Sequence, residues 1–325
     1  MKHVLVTGAT GFIGYEVARR LAEQGYRPRC LVRRPLRGGL LAGGDVELMQ
    51  GDLTSRESLR RAVRGMDTVL HLGARATFED YGRLRPTIVE GSVEMMKAAL
   101  AAGVKTFVYS SSLLVYSSQD RPIDAATPAG TRLGYGRAKL ETEASLQQMA
   151  AGNDLALSMV RLPHVYGARD LIFEQIRRGR AIYPGPGRNL FAHLHIADAA
   201  RLLIRIAETR WSGVSAVADQ RPATWVEFFA VVKEYLPHLR LVKLPRWLAL
   251  LGTALLGMTP RRRDRPFLYT PDAVRSANMR LPVQAGLIWD EIGIQPLFPT
   301  IDEGIPAVLD DCVAFRWVHP VNDRR

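Results

Sequence analysis

In the first half of the chain short apolar runs alternate with longer amphipathic segments, the rhythm of β-α-β units that build a parallel sheet. His3–Val6, Arg29–Val32, Val46–Gln50, Thr68–His71, Thr106–Ser110 and Leu157–Arg161 read as six strands. Ile13–Gln24, Ser55–Arg64, Ile88–Ala101 and Tyr135–Ala150 carry apolar positions at helical spacing, and Gly25, Gly65 and Gly103 stand where helix C-caps belong. Right-handed crossovers would place the helices on both faces of a doubly wound α/β sheet. Beyond about residue 165 the rhythm fades. Glycine and proline crowd at Tyr183-Pro184-Gly185-Pro186-Gly187, where a smaller second unit is expected to begin, and only Thr224–Tyr235 and Trp247–Met258 read as helices.

A chain of 325 residues with 47% hydrophobic content can bury a substantial core. Its first residues run straight into a strand, without the charged and apolar regions of a secretory signal, so a cytoplasmic protein is expected. Two distant cysteines, Cys30 and Cys312, support neither a disulfide framework nor a metal site and read as packing residues. A net charge of +12 favours anionic partners. The arginines are scattered, however, and no nucleic-acid module with interleaved aromatics is present, so nucleic acid is not an expected partner.

Thr7-Gly8-Ala9-Thr10-Gly11-Phe12-Ile13-Gly14 follows the first strand and opens the first helix. Three glycines at intervals of three let backbone N–H groups approach a pyrophosphate at a helix N-terminus, although the spacing departs from G-x-G-x-x-G. Gly8, Thr10, Gly11, Phe12, Ile13 and Gly14 are therefore candidate cofactor residues on a Rossmann-like sheet. An acidic residue ending the second strand would bind an adenosine 2′-hydroxyl, whereas arginine accommodates a 2′-phosphate. Here the strand ends Leu31-Val32-Arg33-Arg34-Pro35. Arg33, then Arg34, points to NADP(H) over NAD(H), with a solvated basic loop as the plainer alternative. Asp52 either faces the adenine amino group or, like Thr54, caps a helix. Leu53 beside it, and Leu72, Gly73 and Ala74 after the fourth strand, complete this end of the site.

Tyr135 and Lys139, four apart, share one helix face, and Ser110-Ser111-Ser112 closes an apolar strand at the ligand-binding end of the sheet. Hydride transfer to a carbonyl builds charge on an oxygen that must receive a proton. A free tyrosine titrates near 10, and a neighbouring ammonium lowers that value. Ser112 would hold the same substrate oxygen.

These residues resemble the extended short-chain dehydrogenase/reductases of the NAD-dependent epimerase/dehydratase superfamily, over almost the whole chain. The glycine turn carries the likeness, with Val108-Tyr109-Ser110-Ser111-Ser112-Leu113-Leu114-Val115-Tyr116, Tyr135-Gly136-Arg137-Ala138-Lys139, Arg161-Leu162-Pro163-His164-Val165-Tyr166-Gly167 and His195-Ile196-Ala197-Asp198-Ala199. The resemblance implies Ser112, Tyr135 and Lys139 as catalytic residues, with Pro163 beside the nicotinamide and Val165 among the cofactor residues. It implies a cofactor domain over 1–167, rejoined by 189–219, and a substrate domain from 168–188 and 220–325. Relatives often form homodimers through helices beside the active site.

Within the family, Val217–Phe229 followed by Leu244-Pro245 is similar to the 3β-hydroxysteroid and sterol dehydrogenase branch, which implies a hydrophobic hydroxyl or oxo substrate of sterol, lipid or polyketide type. Two departures stand out. Ile88 replaces an asparagine common in relatives, and sterol-type relatives often prefer NAD, against Arg33. Nucleotide-sugar epimerases and dehydratases are the alternative reading. They usually carry asparagine where His164 stands, and Leu113, His164 and Arg169 are the candidate substrate residues, with Arg177 and Arg178 further possible diphosphate contacts. A purely structural or regulatory role is disfavoured by the intact Ser112, Tyr135 and Lys139.

Trp247–Met258 is too short to span a bilayer. Buried helix or substrate-site lid is the expectation for such a run. Arg246, Trp247 and the run Arg261-Arg262-Arg263-Asp264-Arg265 make 246–265 the alternative candidate for peripheral membrane contact.

Overall fold

A computed structural model describes residues 1–34, 41, 45–257 and 270–314. The six expected strands form, within one or two residues of their predicted ends: β1 (Val4–Thr7), β2 (Arg29–Val32), β3 (Glu47–Gln50), β4 (Thr68–His71), β5 (Thr106–Ser112) and β6 (Ala156–Leu162). A seventh, β7 (Gly213–Ala216), lies beside β6 and was not anticipated. All pairs are parallel and the order is β7-β6-β5-β4-β1-β2-β3. The order reverses between β1 and β4, the switch point beside which open α/β sheets bind ligands, in a crevice at the carboxyl ends of their strands.

The helices fill both faces, as the alternation predicts. Val4 and Val6 point to one side, against α1 (Phe12–Glu23) and α5 (Ile196–Thr209), where Val17, Leu21, Leu202 and Leu203 are fully buried. Leu5, Val69 and Phe107 point to the other, against α2 (Arg56–Ala62), α3 (Gly91–Ala101) and α4 (Gly134–Ala150). The predicted helix from Ile88 in fact starts earlier, with an α-helical turn over Tyr81–Arg85, passes through a wide turn over Pro86–Glu90, where Pro86 has no N–H to give, and becomes regular again at Gly91. Ile88 is fully buried there, and its carbonyl accepts the Thr142 hydroxyl.

Helix α5 escaped the sequence reading. Its N-cap is His195, whose ring accepts the Ala197 N–H at 3.2 Å, in place of the usual Ser, Thr, Asp or Asn. Its apolar face is also interrupted by Asp198, which is fully buried because it accepts the Leu297 and Phe298 N–H groups at 2.7 and 2.9 Å and pairs with Arg201. A second core gathers Tyr166, Phe173, Tyr183, Trp225, Phe228 and Ile305 from the later segments. Cys30 and Cys312 are buried free thiols, and burial pushes the Cys30 thiol up to about 12.

One polar thread crosses this apolar frame. Thr7 and His71 face each other in the β1–β4 register, with Oγ1 and Nδ1 2.8 Å apart, while His71 Nε2 lies 2.8 Å from the Ser92 hydroxyl. Thr7 Oγ1 also accepts the Gly73 N–H at 3.0 Å, so the threonine hydroxyl ties the loop after β4 to the histidine ring. Burial holds His71 down at about 3 and His195 at about 4. Because these folded values lie below the unfolded 6.5, the stability carried by the neutral rings is complete above pH 6.5 and drains as pH falls toward 3–4. Urea unfolding is expected to show stability falling by up to about 1.4 kcal/mol per pH unit for each ring below that point. His71→Gln should flatten the decline by about one proton's worth, and an unchanged slope would contradict the buried neutral ring.

Candidate active site

The chain leaves β1 and turns at Gly8, with φ 72°. A Cβ there would stand 2.8 Å from the Gly73 backbone, so the loops after β1 and β4 meet backbone to backbone. Gly14, one turn along, packs on the Gly8 carbonyl with no room for a side chain. The Gly8 carbonyl also accepts the Gly11 N–H at 2.8 Å. Thr10 and Gly11 are left exposed, while Phe12 and Ile13 lean on the core. Helix α1 has no side-chain cap and no acidic residue in its first turn. Its free N–H groups therefore face the crevice as an anion cradle, which fits the pyrophosphate of a dinucleotide.

Around the cradle, Leu53 reaches within 3.0 Å of where a Gly73 Cβ would be, and half-buried Leu72 packs on the core behind the turn. Ala74 packs with Ile88, Ala138 and Tyr135. Arg33 and Arg34 are exposed at the end of β2. Asp52 Oδ1 is taken by the Thr54 N–H and hydroxyl at 2.9 and 2.8 Å, and the cap of α2 is Ser55 rather than Asp52 or Thr54.

At the other end of the crevice β5 runs on through all three serines. Helix α4 lies across it so closely that a side chain at position 136 would strike the Leu114 carbonyl, and only glycine fits. Lys139 is buried, donates to the Ser110 carbonyl at 2.6 Å, and holds its ammonium 4.6 Å above the Tyr109 ring and 5.7 Å from the Tyr135 ring centre. Burial pushes the Lys139 ammonium down to about 7, with Glu143 opposing, and the Tyr135 phenol up to about 12. Ser112 Oγ accepts the Leu114 N–H at 3.2 Å and keeps its own hydrogen to donate. Leu113 is buried beside Phe78 and Tyr135, whose rings lie 6.2 Å apart.

Beyond β6, Pro163 is half-buried at the turn into the strand His164–Tyr166, and the Val165 side chain is buried in the main core. His164 Nδ1 lies 3.0 Å from His193 Nδ1, and its Nε2 is 3.6 Å from Asp170. Burial and the neighbouring His164 ring hold His193 well below the ordinary imidazole range. Among the described residues no cluster of His, Cys, Asp or Glu is arranged to hold a metal. Arg169 is exposed, its guanidinium 4.3 Å above the Tyr15 ring of α1.

One residue beside the site, Glu143, went unnoticed in the sequence, and with it the network that joins it to Ser111, Arg161 and Tyr116. Glu143, one turn beyond Lys139, is buried, accepts the Ser111 hydroxyl and forms a fork with Arg161 at 2.6 Å, while Arg161 donates to Tyr116 at 2.6 Å. Spacing offered a signal, since a carboxylate four residues past Lys139 shares its helix face. A cavity of about 300 Å³ bounded by Tyr116, Arg161, Trp211 and Glu291 lies behind this pair, and Ser112, Tyr135 and Lys139 do not line it. Glu143→Gln leaves a buried guanidinium unpaired and should cost about 3 kcal/mol in urea unfolding. Glu143→Leu/Arg161→Met should recover more than half of that loss, and a double variant as unstable as both singles summed would show the two act separately.

The model of the NAD dependent epimerase/dehydratase family matches residues 4–217. Over 252 residues the chain is 29% identical to a ceramide reductase of Caulobacter vibrioides, covering 74% of this chain and 73% of that protein. It is 29% identical over 193 residues to a 3-beta-hydroxysteroid dehydrogenase of Mycolicibacterium neoaurum, covering 54% and 52%. In fold it is similar to MoeE5, solved in complex with UDP-glucose and NAD, with TM-score 0.78, 24% identity and coverage of 97% and 99%. With the glycine cradle and the Ser112, Tyr135 and Lys139 end of the crevice in place, the chain belongs to the NAD-dependent epimerase/dehydratase family, the extended short-chain dehydrogenase/reductases, and is an enzyme of that family.

Proposed function

We propose that this enzyme interconverts a hydroxyl and an oxo group on a hydrophobic, sterol-, lipid- or polyketide-like substrate with NADP(H). The observation that carries the substrate class is the setting of Tyr135: it packs against an apolar cluster that includes Leu113, Leu114 and Phe191, with Phe78 and Met279 packed on the same cluster. A nucleoside diphosphate would need free cations nearby, and the candidates are engaged elsewhere. Arg169 rests on Tyr15, Arg178 pairs with Glu174, Arg177 donates to the Ala168 carbonyl, and His164 stands beside Asp170. The relatedness to a ceramide reductase and a 3-beta-hydroxysteroid dehydrogenase points the same way.

When bound, NAD(P) supplies or accepts the hydride. The Gly8–Gly14 turn would hold its pyrophosphate, and Arg33, with Arg34, would meet a 2′-phosphate; no carboxylate stands between Leu31 and Arg34. Ser112 donates its hydroxyl hydrogen to the substrate oxygen and fixes it near Tyr135. With its phenol pushed up to about 12, Tyr135 holds its proton at neutral pH and is set to donate it as negative charge grows on that oxygen. Lys139, pinned on the Ser110 carbonyl, offers an ammonium that stabilises the phenolate left behind. In the reverse direction it is the phenolate form of Tyr135, stabilised by the Lys139 ammonium, that would take the proton away.

The test is turnover of a panel of long-chain and polycyclic oxo compounds with NADPH, set beside nucleoside diphosphate sugars. NADPH-dependent reduction of the former supports the proposal, and conversion of a sugar nucleotide without net NADPH consumption overturns it. Tyr135→Phe should lower kcat by roughly 10²–10⁴ with little change in NADPH affinity. Arg33→Ala should raise KM for NADPH about tenfold and leave that for NADH nearly unchanged. Because Lys139 titrates at about 7 and must be charged to help, kcat/KM for the oxo compound should decline as pH rises through that value. A profile flat from pH 6 to 9 would remove Lys139 from the mechanism.

A further inference from the structure

The helix Arg246–Gly257 contradicts the expectation of a buried segment. Ala249 and Thr253 turn inward, but Trp247, Leu251 and Leu255 are 67, 51 and 58% exposed, and Leu248 is exposed beside them. At 100° per residue these four span an arc of about 100°, an apolar stripe along one side of the helix. The strand Arg240–Leu244 leads into the helix through Pro245 and pairs in register with Arg180–Pro184, where Ile182 is also exposed. Arg180, Arg240, Lys243 and Arg246 are exposed here and form no ion pair among the described residues. The run Arg261-Arg262-Arg263-Asp264-Arg265 lies outside the described residues.

We propose that this stripe docks the enzyme on an anionic lipid surface, the helix lying in the plane of the interface. No described helix is long and apolar enough to cross a membrane, which leaves the interface as the depth this helix can reach. Charge complementarity selects a lipid surface over a protein partner. The stripe is flanked by unpaired cations on a chain of net charge +12, the pattern that binds anionic headgroups while leucines enter the acyl boundary. Trp247 at the edge of the stripe places an amphipathic ring at headgroup level. Docking is independent of which substrate the active site takes, because it is read without turnover.

The full chain is mixed with phosphatidylcholine vesicles, with or without phosphatidylglycerol, and floated on a density gradient. It should rise with the phosphatidylglycerol vesicles, stay behind with pure phosphatidylcholine, and be released by high salt. Leu251→Glu/Leu255→Glu should weaken partitioning at least about tenfold, and Lys243→Glu/Arg246→Glu should weaken it most at low salt, the difference from the parent shrinking as salt rises. Both pairs are exposed, so their thermal melts should match the parent. Failure to float with anionic vesicles, or flotation indifferent to the leucine substitutions, overturns the proposal. So does a parent chain that ignores vesicles and sediments as a dimer that Leu251→Glu/Leu255→Glu dissociates.

Discussion

The Lys139 ammonium is buried, with the Ser110 carbonyl 2.6 Å away as its partner and two tyrosine rings beside it. An amine taken out of water loses its hold on its proton, and Lys139 is brought down to about 7, where it can be charged or neutral within the working range of an enzyme. That balance depends on distance. It requires helix α4 to lie hard against the end of β5, which Gly136 permits by leaving space for the Leu114 carbonyl, and which the Glu143–Ser111 hydrogen bond fixes one turn further on. Ser110, Ser111 and Ser112 thus divide three tasks along one strand: anchoring the lysine, locking the helix, and presenting a hydroxyl to the crevice.

The later part of the chain supports this end from outside. Asp272 accepts the Gly134 N–H at 3.0 Å at the start of α4, and Thr270 donates to the Phe78 carbonyl at 2.7 Å, so the segment from 270 clasps both sides of Tyr135. Leu281 and Val283 extend the clasp through single bridges to Phe191 and Ile123. The apolar cluster on which Tyr135 packs is therefore shared between the early and late parts of the chain. Variation in the late segments can change which substrate is taken while Tyr135, Lys139 and Ser112 stay where they are.

Six of the seven strands and the glycine turn were legible because each rests on a local pattern, a short continuous apolar run buried on both faces or a turn that only glycine can make, and the four-residue step from Tyr135 to Lys139 announced a shared helix. Helix α5 was hidden by its histidine cap and by a buried aspartate whose partners lie about a hundred residues away. The four-residue β7 carries too few apolar positions to announce itself and exists through its pairing with β6. Glu143 was overlooked for a related reason: its four-residue step from Lys139 was there to see, but a glutamate on a helix is ordinarily solvated, and its partner Arg161 comes from a strand. The helix Arg246–Gly257 misled in the opposite sense: its composition implies burial, but which side of an apolar helix is covered depends on neighbours that a one-dimensional pattern does not name.

The most direct measurement of the account's central claim is the fate of the hydride. With NADPH carrying deuterium at the transferable position and a hydrophobic oxo compound, the account predicts deuterium on the carbon bearing the new hydroxyl, one equivalent per NADPH consumed, and loss of the transfer in Tyr135→Phe. Deuterium that stays in the cofactor while a nucleoside diphosphate sugar is epimerised or dehydrated would contradict it.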